Sequence, residues 1–313
     1  MTELVPGRGV HRRGHRPPAV PTLDGYARAL GRHLQYGWGA SNRFWPGADL
    51  GRLSVLLVHG AHARLVSCTG ISEVSAAEVC GPGLPGTCVA AYWRGKPVLL
   101  LDLAPDFTGR PFADQLLDGF RQATEVGFRQ QVQARWPPRT ARPEPAGRRP
   151  AGAALIRSMI YDALVRAFRD PLQRDRQLRI AAYWYDRWLT RCAGEVTAVR
   201  ELDLVHGTAD YVADAILARV RASADPARAR HYLARVSHGR RSDRLTGLER
   251  ECGALGSIAC LNAAELDLDF VAPAESGTAT PLDVLLAGSP RTGPARGCVP
   301  GELAARPNRR AAR

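Results

Sequence analysis

Three side chains stand at positions where chemistry could be done. Glu125 and Arg129 are four residues apart, so a helix would place them on one face, with the acid N-terminal to the base in the favourable ion-pair order. Arg129 would offer a planar cation to a carboxylate or another anion. His206 opens the run His206-Gly207-Thr208-Ala209-Asp210-Tyr211, where Asp210 at i+4 could orient an imidazole serving as acid, base or hydrogen-bond donor. A plainer reading stays open for each. Asp118, Arg121, Gln122, Glu125 and Arg129 would also make an ordinary solvated helix face, and His206 an ordinary helical histidine tied to Asp210. A metal held by Glu125, His206 and Asp210 is not expected, because Arg129 beside them would repel a dication. No cofactor is expected either. H-E-x-x-H occurs nowhere, and His59, His62, His231 and His238 lack a spacing that would build a zinc site. There is no G-x-S-x-G elbow and no P-loop.

The element that must carry the first pair runs from Pro111 to Trp136. Phe112, Leu116, Phe120, Thr124 and Phe128 recur at helical spacing, and Leu117, Ala123, Gly127 and Val132 widen the stripe. Pro111 suits a first-turn position, and Pro137-Pro138 ends the pattern, so one long amphipathic helix is predicted.

On this helix the chain resembles gluzincin-type zinc-metallopeptidase-like proteins, which carry A-T-H-E-G-F-H followed by Gln and Trp. Two histidines at i and i+4 there ligate one zinc ion, and the intervening Glu acts as general base on its water. Ala123, Thr124, Gly127, Phe128, Gln133 and Trp136 match that frame; Glu125 and Arg129 stand at the histidine positions and Val126 at the base. A register one residue earlier keeps Glu125 as base but puts Thr124 and Phe128 at the ligand positions. Similar proteins supply a third ligand from a downstream helix reading E-G-x-A-[ED]-Y. Here Gly207, Ala209, Asp210 and Tyr211 match, with His206 in the Glu place. A weaker match is Gly253-Ala254-Leu255, three residues before which relatives often place a Tyr; Arg250 stands there and is a candidate ligand-binding residue together with Asp210. The resemblance spans roughly residues 90 to 288. It implies a metallopeptidase-like fold whose zinc ligands and general base have been substituted, with Glu125, Arg129 and His206 as the candidate catalytic residues.

Composition narrows the field. With 313 residues and 45% hydrophobic content the chain can bury a real core. No apolar run approaches the length of a membrane span, and the basic N-terminus is not followed by the apolar segment of a secretory signal, so a cytoplasmic protein that does not enter membranes is expected. The net charge of +13 invites a nucleic-acid reading. Residues 1–18, 137–150 and 291–313 carry +3, +3 and +5 of it, in Pro/Gly/Arg-rich stretches that cannot bury a core. Loose, salt-sensitive polyanion association through these stretches is a third reading, and nucleic acid is not the expected partner. The seven cysteines form no C-x-x-C pair and read as reduced thiols, with Cys80 to Cys88 as one loop that oxidation could close.

The predicted architecture is α+β, a small N-terminal antiparallel or mixed sheet followed by a mainly helical, metallopeptidase-like body. Residues 1–20 and 289–313 are expected to be disordered tails. Residues 21–110 form the part containing the sheet and 111–288 the helical part, with 137–150 a flexible loop. Leu23–Tyr36 reads as a helix, Leu53–His59 and Ala63–Ser67 as strands, and Thr87–Trp93 with Pro97–Asp102 as a hairpin laying an edge strand over the cleft. Ala151–Asp170, Leu172–Cys192, Glu201–Arg221, Pro226–Val236, Leu245–Leu266 and Thr280–Leu286 read as helices. Functionally, two classes stay open: a metal-independent enzyme, for example a tailoring step in a biosynthetic pathway, and a non-catalytic binding or regulatory protein. In both, the former cleft takes a small-molecule or peptide ligand. The oligomeric state is left open.

Overall fold

The structure, a computed structural model, describes residues 22–75, 78, 86–103, 111–137, 152–223, 225–242 and 247–287, with the backbone alone of 241 and 242. The expected tails, most of the 137–150 loop and Cys80 lie outside the described residues. The fold is α+β, a mixed five-stranded sheet followed by a helical body.

Helix α1 (Leu23–Trp38) starts at Thr22, whose hydroxyl accepts the Gly25 N–H and satisfies one orphan donor of the first turn. Strands β1 (Ser54–His59), β2 (His62–Ser67), β3 (Ile71–Ser75), β4 (Cys88–Trp93) and β5 (Lys96–Asp102) lie in the order β3-β2-β1-β5-β4. β1 and β5 pair in parallel, Val55 opposite Leu99, and the other neighbours are antiparallel. Because alternate side chains leave opposite faces, Val55, Leu57, Leu99 and Leu101 join the main core while Leu56, Val98 and Leu100 form a second cluster behind the sheet. That two-sided burial is why β1 and β5 read as unbroken apolar runs. β3 went unrecognised in the sequence, since Ile71–Ser75 is almost wholly exposed and holds its place by pairing with β2. Arg64 ties this end together, bonding Asp24 of α1 at 2.8 Å and Glu73 of β3 at 3.1 Å.

The central helix α2 (Phe112–Gln131) buries the expected stripe, with Leu116, Phe120, Thr124 and Phe128 all inside. Thr124 is tolerated there because its hydroxyl donates to the Phe120 carbonyl at 2.8 Å and accepts the Trp38 Nε1–H at 2.9 Å. The helix stops at Gln131, short of the expected end. A 3₁₀ turn over Gln133–Arg135 follows, and Trp136 is extended, as a residue preceding proline prefers. Trp45 is fully buried edge-to-face against Phe128 and close to Trp136. Its Nε1–H reaches Glu275 at 2.8 Å, which ties this region to the end of the body.

The body continues through α3 (Ala153–Arg169), α4 (Arg174–Arg191), α5 (Ala193–Arg221), α6 (Pro226–Ser242), α7 (Leu248–Glu265), α8 (Val271–Ser276) and α9 (Pro281–Ala287). α5 begins eight residues earlier than expected and is 29 residues long; Gly194 in its first turn, where backbone donors are unpaired anyway, does not delay it. α8 was not anticipated; Pro273 sits in its first turn, where proline is tolerated. α5 and α7 cross in direct backbone contact. A Cβ on Gly207 would lie 2.4 Å from the Gly256 Cα, and one on Gly256 2.2 Å from the Asp203 carbonyl oxygen. No helix among the described residues is long and apolar enough to cross a membrane.

Candidate functional site

Two columns of side chains face each other between α2 and α5. Arg121, Glu125 and Arg129 are spaced by four on one helix, and His206, Asp210 and Asp214 by four on the other. The helices run in opposite senses, so Arg121 meets Asp214 and Asp210, and Arg129 meets His206. The contacts are short: Arg121 Nε to Asp214 Oδ1 3.0 Å, Arg121 Nη2 to Asp210 Oδ1 2.6 Å, and Arg121 Nη1 to Glu125 Oε2 3.3 Å. Arg129 Nη2 reaches Glu125 Oε1 at 2.7 Å and His206 Nδ1 at 3.0 Å. One turn further, Gln133 Nε2 bonds the Val205 carbonyl at 2.7 Å and Thr208 Oγ1 at 3.0 Å, closing the seam.

The surroundings fix these groups from three more sides. From α6, Arg240 clamps Asp214 through Nη1 to Oδ2 at 2.8 Å and Nη2 to Oδ1 at 2.9 Å. From α7, Gly253 lets the backbone approach the Asp210 carboxylate; a Cβ there would stand 2.5 Å from Oδ2. From β4, the Cys88 N–H donates to Gln122 Oε1 at 3.2 Å, so this strand begins over the polar face of α2. β4 is an edge of the described sheet, pairing with β5 alone among the described strands.

The site residues named from the sequence therefore come together with one exception. Glu125, Arg129, His206 and Asp210 belong to one network. Arg250 does not: it is exposed on α7 and makes no hydrogen bond or ion pair among the described residues. The solvated-face reading of α2 is corrected as well. The side chains of Arg121, Glu125 and Arg129 keep only 25, 22 and 35% of their exposure, because α5 lies against them. Arg121, Asp214 and Arg240 carry much of the network without having been singled out. The signal was present for the first two, which extend the four-residue columns already visible; nothing around Arg240 distinguishes it from its neighbours.

Electrostatically two of the seam's three acids, Glu125 and Asp214, differ. Burial pushes the Glu125 carboxyl above the usual range, Asp210 adds to the shift, and Arg121 and Arg129 only partly offset it. Asp214 is more deeply buried, yet Arg240 and Arg121 overcome that burial and hold it below the usual range. Burial and the nearby charge of Glu125 push the Cys88 thiol up to about 12, so it is no nucleophile. Cys88 is a free thiol, and its suggested partner Cys80 lies outside the described residues.

A guanidinium can only donate, so the Arg129 contact makes His206 Nδ1 an acceptor and places the ring proton on Nε2. Zinc does not fit this residue set: the Glu125 carboxylate and His206 Nδ1 are both directed at the Arg129 cation, and the Asp210 carboxylate at Arg121. Among the described residues no group of three or more His, Cys, Asp or Glu side chains could hold a metal ion. Arg129 Nε is buried with no hydrogen-bond partner.

No family model, curated protein or solved structure matches the chain.

Proposed function

We propose that this chain is a metallopeptidase-type scaffold without zinc-peptidase chemistry, whose cleft between α2 and α5 binds a peptide or small-molecule ligand. The observation that carries the reading is the Arg129 guanidinium shared between Glu125 and His206, the three positions at which the resemblance places the metal ligands. Three guanidinium groups and three carboxylates balance in this network, so it needs no counter-ion. What it offers a ligand is donors, the outer N–H groups of Arg129, whose Nη2 is positioned by Glu125 and His206. A carbonyl or carboxylate oxygen is the matching group, and the edge of β4, unpaired among the described strands, suits an extended backbone added as a further strand. The non-catalytic reading is the better supported of the two open classes, because Glu125 Oε1 and His206 Nδ1 both accept from Arg129 and Cys88 is held protonated.

The scaffold part is tested by rebuilding the site. The quadruple variant Glu125→His, Val126→Glu, Arg129→His, His206→Glu is expected to hold one tightly bound zinc ion per chain by mass spectrometry of dialysed protein. Wild type is expected to hold far less. A variant that keeps the wild-type circular dichroism but binds no zinc defeats the scaffold reading. The ligand part is tested separately by thermal shift with acetylated tripeptides, free or amidated at the C-terminus; stabilisation that survives both Arg129→Ala and His206→Ala defeats it.

A further inference from the structure

A cavity of about 330 Å³ lies where α5, α6 and α7 meet, and none of its lining residues belongs to the Arg129 network. Its walls are apolar: Phe44, Phe168, Tyr211, Leu233 and Leu261. Its volume falls in the range of pockets that take small organic ligands. At its rim stands Arg219, two turns along α5 from Tyr211. The Arg219 guanidinium lies over the ring of Tyr36, 5.1 Å from its centroid, and makes no hydrogen bond or ion pair among the described residues. Its Nε is buried without a partner.

The lone acid of the lining does not answer this charge. Glu265 is taken by Arg174 at 3.0 Å and by Arg230 at 3.2 Å, and Arg230 also donates to the Phe168 carbonyl. The lining thus holds two guanidinium groups, Arg219 and Arg230, against one carboxylate that Arg174 also engages from outside it. A buried N–H beside an apolar chamber, with no acceptor supplied by the protein, is a half-made interaction. The missing half is an oxygen anion, and the chamber behind it requires an apolar body attached to that anion.

We infer that this cavity is a binding site for a small amphiphile, an aliphatic or aryl-aliphatic monocarboxylate. Its carboxylate pairs with Arg219 and its hydrocarbon lies against Phe44, Phe168 and Leu261. The pairing is a charge-assisted hydrogen bond at a partly desolvated guanidinium, which gives the head group real discrimination over a neutral one.

Isothermal titration of the full chain with decanoate below its micellar range, and with 1-decanol as the uncharged match, tests this. Decanoate is expected to bind at least about tenfold more tightly than decanol, since a hydrogen bond to a charged group is worth roughly 1.5–3 kcal/mol. Arg219→Ala should weaken decanoate by about tenfold or more and leave decanol within about twofold. Ala229→Trp, which adds bulk to the lining from a half-buried position on α6, should weaken both. Three results overturn the assignment: no heat from either compound with wild type, equal affinity for the two, or decanoate binding that Arg219→Ala leaves unchanged.

Discussion

Two carboxylates in one ion network should answer neutralisation with opposite signs. Asp214 accepts bonds from Arg121 at 3.0 Å, Arg240 at 2.8 and 2.9 Å and Ser257 at 3.4 Å, with its side chain 4% exposed. Asp214→Asn keeps the shape and removes the charge, leaving two guanidinium groups around an amide. Breaking a buried ion pair from one side costs roughly 3–5 kcal/mol, and Arg121 keeps Asp210 and Glu125, so the lower end, about 3 kcal/mol, is expected. Glu125 also touches two arginines, yet its carboxyl is pushed up, which means that desolvation and Asp210 outweigh both. Glu125→Gln should therefore stabilise the fold at pH 7, by no more than about 1 kcal/mol, where Asp214→Asn destabilises it. The pH dependence follows from the same shifts. Asp214 has a depressed folded pKa, so its contribution is present above the ordinary carboxylate range and fades as pH falls through that depressed value. Glu125 has a raised folded pKa, so its contribution is complete below the ordinary range and is lost as pH rises through the raised value. Urea midpoints by circular dichroism, taken from pH 7 downward, read both. A loss for Glu125→Gln at pH 7 matching that of Asp214→Asn, or an Asp214→Asn gap that widens on acidification, would refute the reasoning.

The glycines at the helix crossing should rank by what a methyl group would meet. Gly256→Ala drives Cβ to 2.2 Å from a backbone carbonyl that cannot yield, whereas Gly253→Ala meets the movable Asp210 carboxylate at 2.5 Å. Thermal unfolding should show the first losing more than about 3 kcal/mol and the second about 1–2 kcal/mol; the reverse order would contradict the packing. Among the described thiols, Cys68 is half-buried and Cys88, Cys192, Cys252 and Cys260 are buried. Iodoacetamide on the native chain, mapped by mass spectrometry, should label Cys68 ahead of those four; early labelling of Cys88 would count against its raised pKa.

How much of this could be read beforehand divides along a physical line. The apolar stripe of α2 was legible because its period is a property of the chain alone, and so were β1 and β5, whose branched runs are buried on both faces. A four-residue column says which side chains share a face. It does not say whether that face meets water or another helix. That was decided at a distance, by the contact of Gly207 with Gly256 and the Gln133 bonds to Val205 and Thr208, which bring α5 onto α2 and α7. Hence Glu125, Arg129 and His206 could be named in advance, while the weight carried by Arg121, Asp214 and Arg240 could not. Arg157 shows the same limit. It is fully buried, bidentate to Asp203 at 2.5 and 2.9 Å and stacked on Trp188, yet in the sequence it is one arginine among many.

On the proposed metallopeptidase kinship, the seam also constrains what the proposed cleft can recognise. A zinc ion held by two imidazoles and a carboxylate is a point charge with an open coordination position, and it acts by acidifying water and polarising carbonyls. A guanidinium in its place is planar, cannot give up a proton and points its donors along fixed directions. Two of those directions in Arg129 end on Glu125 and His206. The remaining donors can bind oxygen but cannot activate it. A site furnished only with donors selects for acceptors, so the ligand that fits it presents carbonyl or carboxylate oxygens and leaves the cleft chemically unchanged.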